Sequence, residues 1–209
     1  MRRLRRAELP ADAAALAKFL IGKTLIRNLA STRITGRIVE TEAYPPGDAS
    51  GHAFVGPTRR NRSLFLDRGY AYVYFGYGLH YLLNVSAETA GTGAGVLLRA
   101  AEPVDGIHVM EQNRRTTRMT DLARGPARLA EAFAVDLTFD GLDLTTDRTL
   151  WLATGIRPTG PIGRSVRIGI TKEADRELRF FERGSPFVSG PKWLNGRTPL
   201  TAPRRSAPR

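Results

Sequence analysis

The sequence predicts an α+β fold, a single domain built around a largely antiparallel sheet. Extended segments rich in aromatic and aliphatic residues alternate with short polar or glycine turns. Only two stretches carry helical periodicity, and neither an internal repeat nor a domain-sized linker divides the 209 residues. That length fits one domain with a core large enough to need no staples.

The first helix is expected over residues 10–21. Pro10 suits a first helical turn, Ala15, Leu16, Phe19 and Leu20 share one face, and Gly22 ends it. Residues 23–44 read as two extended segments joined by a polar turn near Ser31–Arg33. Residues 45–63 hold too much proline and glycine for regular structure, and a loop of that length inside a compact domain points to function or disorder. Residues 70–86 are dense in aromatic and β-forming types, punctuated by Gly76 and Gly78, and read as a hairpin. Another strand follows over 94–100. Residues 113–124 carry four arginines and few apolar side chains, which reads as a mobile basic loop. Gly125-Pro126 then opens the second helix, through about Val135, with Leu129 and Phe133 on one face. Short strands are expected over 150–182. The domain is taken as 1–197, with a disordered Pro/Arg tail at 198–209.

Composition narrows the function. Hydrophobic residues make up 42% and charged residues 25%, as in ordinary globular proteins, and no apolar run suffices to span a bilayer. Glu8, Asp12 and Lys18 interrupt what would be the apolar stretch of a signal peptide, so a cytoplasmic protein is expected, nucleoid-associated in a prokaryote. Without cysteine, disulfides, thiolate metal sites and cysteine nucleophiles are excluded. Three well-separated histidines, His52, His80 and His108, argue against a histidine metal site, and no metal or cofactor is expected. The net charge is +12, and only four of the 32 basic residues are lysines. A large positive balance favours polyanionic partners, nucleic acid foremost, and arginine forks well onto phosphate oxygens. A monomer that binds no membrane is expected.

Four features are candidates for chemistry. In V-E-T-E-A-Y at 39–44, strand alternation puts Glu40, Glu42 and Tyr44 on one face and Val39, Thr41 and Ala43 on the other. That face is either solvated and acidic or carries a general base at the mouth of a pocket. Tyr70, Tyr72 and Tyr74 alternate onto one face, as in a sheet core. Tyr77 stands between two glycines, where a core role is hard to satisfy and stacking on nucleic acid bases is plausible for a basic protein. His52 shares the long loop with Arg59, Arg60 and Arg62, which are either phosphate contacts or solvated. Arg99 closes the apolar strand V-L-L-R and calls for a carboxylate partner, structural or catalytic.

Taken in order, these segments resemble the alkyladenine (3-methyladenine) DNA glycosylase family. The likeness covers about residues 10–190. It runs through R-I-V-E-T-E-A-Y (37–44), His52, R-N-R (60–62), Y-V-Y-F-G-Y-G (72–78), N-V-S (84–86) and V-L-L-R-A-A-E-P (96–103). It continues through A-R-G-P-A-R-L-A-E-A-F (123–133), R-I-G-I (167–170) and R-G-S-P-F-V-S (183–189). The resemblance implies a curved sheet with a protruding β-hairpin and a few flanking helices. It implies an enzyme of base excision repair that flips alkylated or deaminated purines out of duplex DNA and hydrolyses the N-glycosidic bond, leaving an abasic site. By motif position, Glu42 would activate the attacking water and Arg99 would help hold both. Tyr44, His52 and Tyr74 would wall the base pocket, and Asn84 would face the 2-amino group of guanine. Tyr77 would fill the gap in the duplex, and a main-chain carbonyl near Ile168 would also hold the water. Lysine is taken as absent from these motifs, which favours water over a Schiff base and makes the enzyme monofunctional. The alternatives are a non-catalytic DNA-binding module, which needs no buried carboxylate beside Arg99, and a sugar hydrolase using Glu40 with Glu42.

Overall fold

The two extended segments with a polar turn between them form as expected: Thr24–Asn28 is β1 and Arg33–Tyr44 is β2. The computed structural model describes residues 1–76 and 78–196. Tyr77 and the tail expected at 198–209 lie outside the described residues. The hairpin forms as β3 (Ala71–Gly76) and β4 (His80–Ser86), with Gly76 opposite His80. The next strand, β5 (Gly95–Asp105), runs five residues further than its apolar stretch suggests. Three short strands follow: β6 (Leu150–Ala153), β7 (Ile162–Ser165) and β8 (Arg179–Glu182). The chain between β7 and β8 is irregular rather than extended.

All eight strands join one curled antiparallel sheet, in the order β3-β4-β5-β2-β1-β6, with β8 on β2 and β7 on β8. Strand β2 changes partner along its length. Arg33–Arg37 pair with β1, whereas Glu40–Glu42 pair with β8, and the opposite edge follows β5. Two compensating irregularities mark the crossover. Ile38 faces Ala101 and Glu40 faces Ala100, so Val39 is extra on β2; Thr41 faces Leu98, so Arg99 is extra on β5. Bulges of this kind bend a strand and re-aim side chains, and they concentrate beside active sites.

Period-2 alternation divides the sheet into two faces. Ala71, Val73, Leu83, Val85, Val96 and Leu98 belong to the main core. Their neighbours Tyr72, Tyr74, Leu82, Asn84, Leu97 and Arg99 face a pocket on the other side. Val39 departs from the expected alternation. It packs with Ala100, Phe181 and Val188 in a separate small cluster, because the bulge puts it on the same side as Glu40. The solvated acidic face is also overturned: Glu40 and Glu42 are both fully buried.

Helix α1 (Ala13–Leu20) starts later than expected. Asp12 caps it, its Oδ1 accepting the Ala15 N–H at 2.7 Å, so an Asp cap and not Pro10 sets the start. The buried face is Ala13, Leu16, Ala17 and Leu20, and Ala15 points to solvent. Residues Ile107–Arg114 form α2, a helix that the sequence reading missed. It buries only Met110 and is otherwise mostly polar, so the apolar periodicity that reveals a helix is nearly absent. Two of the four arginines of 113–124 are tied down rather than loose. Arg114 Nε donates to the Leu122 carbonyl at 3.1 Å and its guanidinium pairs with Glu131. Arg124 Nε donates to the Val188 carbonyl at 3.0 Å. Helix α3 (Pro126–Ala132) forms where Gly125-Pro126 placed it and buries Leu129, with Phe133 buried just beyond. A last short helix, α4, covers Lys192–Asn195. Among the described residues no helix is long and apolar enough to cross a membrane, and no group of three or more metal-ligating side chains occurs.

Candidate active site

The pocket face of β2 carries the two buried carboxylates. Glu42 Oε1 accepts the Ile168 N–H at 2.8 Å and lies 3.2 Å from Arg99 Nη1. Its Oε2 accepts the Tyr44 hydroxyl at 2.9 Å. Burial pushes the Glu42 carboxyl above its ordinary value, and Arg99, the Ile168 N–H and the Tyr44 hydroxyl offset that only in part. Glu42 is therefore a carboxylate fixed on both oxygens with more proton affinity than one in water.

Glu40 has a different environment. Its Oε1 receives Arg99 Nε at 3.0 Å, Arg179 Nε at 2.6 Å and the Ser189 hydroxyl at 3.0 Å. Its Oε2 accepts the Ser189 N–H at 2.6 Å. Burial raises the Glu40 carboxyl, but Arg179 and Arg99 outweigh it and hold the group below its ordinary value. Two glutamates on one strand thus have opposite tendencies, the signature of divided roles. Glu40 is the ionised anchor of a buried network, and Glu42 is the group suited to take a proton.

Above Glu42 lies a pocket of about 530 Å³, inside the range of about 300–1,000 Å³ usual for small-molecule sites. Tyr44, His52, Tyr74, Asn84 and Arg99 all line it, so five of the expected site residues meet in one place. Glu42 sits beneath Tyr44, Arg99 and Ile168, which separate it from the cavity. Tyr77, expected to fill the gap in the duplex, lies outside the described residues. The Ile168 main chain meets Glu42 through its N–H rather than through a carbonyl.

Tyr72 belongs to the pocket as well, although its alternation with Tyr70 and Tyr74 reads as core. Its ring stacks near-parallel on Tyr74, with centroids 5.5 Å apart and planes 26° apart. His52 Nδ1 shares a hydrogen bond with the Tyr72 hydroxyl at 2.8 Å, and the imidazole stands edge-on to Tyr74 at 4.4 Å. Burial, aided by Arg60, lowers the proton affinity of His52, which favours the neutral ring. Asn84 Nδ2 donates to the Tyr72 carbonyl at 3.2 Å.

The long loop is held by residues that composition alone did not single out. Asn61, inside R-N-R, donates to the carbonyls of His52 (2.8 Å) and Gly56 (2.9 Å). Asp48 is buried and meets Arg167 Nη1 at 2.7 Å. Arg167 also donates to the Ala43 carbonyl at 3.0 Å and lies over the Tyr44 ring at 4.7 Å. The expectation that no lysine lies near the motifs does not hold. Lys172, two residues beyond R-I-G-I, lines the pocket, because the irregular chain after β7 folds back over it.

A family model, Methylpurine-DNA glycosylase (MPG), matches residues 7–186. The chain belongs to the methylpurine-DNA glycosylase family. Membership bears out the expected enzyme class, a DNA glycosylase. A relative from Mesorhizobium japonicum is 59% identical over 90% of this chain and 91% of its own length. One from Paraburkholderia phytofirmans is 49% identical over 99% of this chain and 94% of its own length. Both carry the provisional name 3-methyladenine DNA glycosylase. A mouse protein named DNA-3-methyladenine glycosylase is 41% identical over 85% of this chain and 58% of its own length.

Proposed function

We propose that this glycosylase removes alkylated and deaminated purines from duplex DNA by hydrolysis, with Glu42 activating the attacking water. The observation that carries the reading is the pairing of Glu42 with the aromatic pocket above it. The carboxylate is fixed by Arg99, Ile168 and Tyr44, has raised proton affinity, and is separated from the cavity only by the groups that hold it. A general base of this kind needs the reacting atom within hydrogen-bond reach or one water away.

The chemistry follows from the walls. A purine flipped from the duplex enters the pocket and stacks against Tyr44, His52 and the Tyr72–Tyr74 pair. The C1′–N9 bond breaks with its electron pair passing to the purine. Water adds to C1′ and gives its proton to Glu42. The sugar gains positive charge on the way, so a buried carboxylate also stabilises it electrostatically. Asn84, which lines the pocket, is the residue we assign to reading the 2-amino position, and Tyr77 the one we assign to the gap left in the stack. The net charge of +12 supports binding to the phosphate backbone.

The test is product analysis on duplexes that each hold one damaged purine, with Glu42→Gln beside the wild type. Free purine and an intact abasic strand are expected from the wild type, and DNA binding without release from the variant. Release by Glu42→Gln at the wild-type single-turnover rate would remove Glu42 from the mechanism. DNA binding without release by the wild type on every lesion would favour a binding module.

A further inference from the structure

Lys172 is a cation at the pocket that the chemistry above does not use. It lines the same cavity as Tyr44, His52 and Tyr74. Among the described residues it makes no hydrogen bond or ion pair, and its neighbours explain why. Asp48, the acidic residue lining the pocket, is occupied by Arg167 and Arg176. Glu173, next in sequence, is turned onto Arg176 and the Ala49 N–H. Arg99, the pocket's other cation, is neutralised by Glu40 and Glu42. Among the described residues, the uncompensated charge lining the cavity is therefore that of Lys172.

We propose that Lys172 is a specificity-determining residue that favours purines leaving as anions over purines leaving as neutral molecules. The proposal rests on the glycosylase reading above. Cleavage moves an electron pair onto the purine in every case. A neutral lesion such as hypoxanthine therefore departs with negative charge. A cationic lesion such as 7-methylguanine departs neutral. An ammonium beside the base stabilises the first departure relative to free enzyme and DNA. For the cationic lesion it opposes entry by about as much as it helps departure, so the two effects cancel in kmax/K1/2. The aromatic walls act the other way, since electron-rich rings favour a cationic base. Lys172 is thus the counterweight that admits neutral lesions.

The experiment is single-turnover excision as a function of enzyme concentration, on one duplex with hypoxanthine and one with 7-methylguanine, for wild type, Lys172→Met and Lys172→Arg. For hypoxanthine, Lys172→Met lowers kmax/K1/2 by roughly three- to tenfold, a size set by one charge interaction at a solvent-accessible site. For 7-methylguanine kmax/K1/2 stays unchanged, while K1/2 and kmax fall together. Lys172→Arg restores most of the hypoxanthine rate. Equal losses on both lesions, with the salt slope reduced by about one phosphate contact, would make Lys172 a backbone contact and overturn the proposal. No change on either lesion, or wild-type activity on 7-methylguanine alone, would overturn it too, with the glycosylase reading intact. Wild-type inactivity on every purine lesion would overturn the reading itself and this proposal with it.

Discussion

Arg99 holds two carboxylates at once: its Nε lies 3.0 Å from Glu40 Oε1 and its Nη1 lies 3.2 Å from Glu42 Oε1. The two partners differ in everything else. Glu40 has a second arginine, Arg179, and both hydrogen-bonding groups of Ser189. Glu42 has one backbone N–H and a tyrosine hydroxyl. Replacing each by its amide therefore gives opposite results.

Glu40→Gln is a stability variant. The amide nitrogen takes the place of one oxygen, so either the Ser189 N–H or the guanidinium groups lose their acceptor, and Arg179 is left buried beside a neutral group. Breaking a buried ion pair on one side costs about 3–5 kcal/mol. Thermal melting shows this as a marked loss, and any fall in excision tracks the folded fraction. An inactive but fully stable Glu40→Gln would transfer the catalytic role to Glu40.

Glu42→Gln is an activity variant. Its Oε1 still accepts from Ile168 and Arg99, and its amide can donate to the Tyr44 oxygen. The Glu42 carboxyl stands above its ordinary value in the fold, so ionising it at neutral pH works against the folded state. Stability at pH 7 is expected to hold or rise in the variant. The gain shrinks as pH falls toward the ordinary glutamate value of about 4.3, where the unfolded chain also binds the proton. Excision falls by about 10²–10⁴. Melting curves at neutral and acid pH, beside single-turnover rates, check both halves.

If Glu42 is the general base, excision is expected to show an acid limb. Glu42 must be ionised to accept a proton, and its raised proton affinity moves the limb above the ordinary carboxylate range. Activity therefore falls as pH is lowered through that raised value. His52 also titrates on the acid side of its ordinary value, so the profile is measured in His52→Gln as well. Persistence of the limb assigns it to Glu42, and its disappearance assigns it to His52.

Arg167 supports three parts of the pocket together: Asp48 in the loop, the Ala43 carbonyl on β2 and the Tyr44 ring. Arg167→Met leaves Asp48 buried with the half-exposed Arg176 as its cation. A loss of about 3–5 kcal/mol is expected, with excision reduced on every lesion alike. The double variant with Asp48→Asn loses less than the sum of the single changes. Strict additivity in the double-mutant cycle would show that the two residues do not act as a unit.

Affinity for undamaged duplex falls steeply with salt, by a log–log slope of about 0.9 per phosphate neutralised. The net charge of +12 motivates this. A flat plot between low and physiological salt would contradict a phosphate-tracking surface.

Much of the site was legible because strands alternate. Glu42 and Tyr44 on one face and Arg99 in need of a carboxylate follow from residue type and spacing, whereas the Tyr72–Tyr74 alternation reads as core and only the family resemblance put Tyr74 in the pocket. Three kinds of information were not. Val39 was misplaced because a bulge leaves no mark in local composition. Helix α2 was missed because a largely polar helix has no apolar stripe. Lys172, Asp48 and Arg167 were missed because they reach the pocket through irregular chain, where position depends on tertiary contacts rather than on a period.

The irregularities at Val39 and Arg99 also cancel. The residue numbers facing each other across β2 and β5 add to the same total at Ile38–Ala101 and at Thr41–Leu98. The sheet beyond the site therefore runs as if neither extra residue were present. A deletion in either strand alone throws the pair out of step, whereas removing Val39 and Arg99 together keeps Ile38 and Thr41 in register with Ala101 and Leu98 but removes the arginine that clasps both glutamates. The double deletion therefore tests the clasp itself, since β2 and β5 stay in step while Glu40 and Glu42 lose the arginine they share.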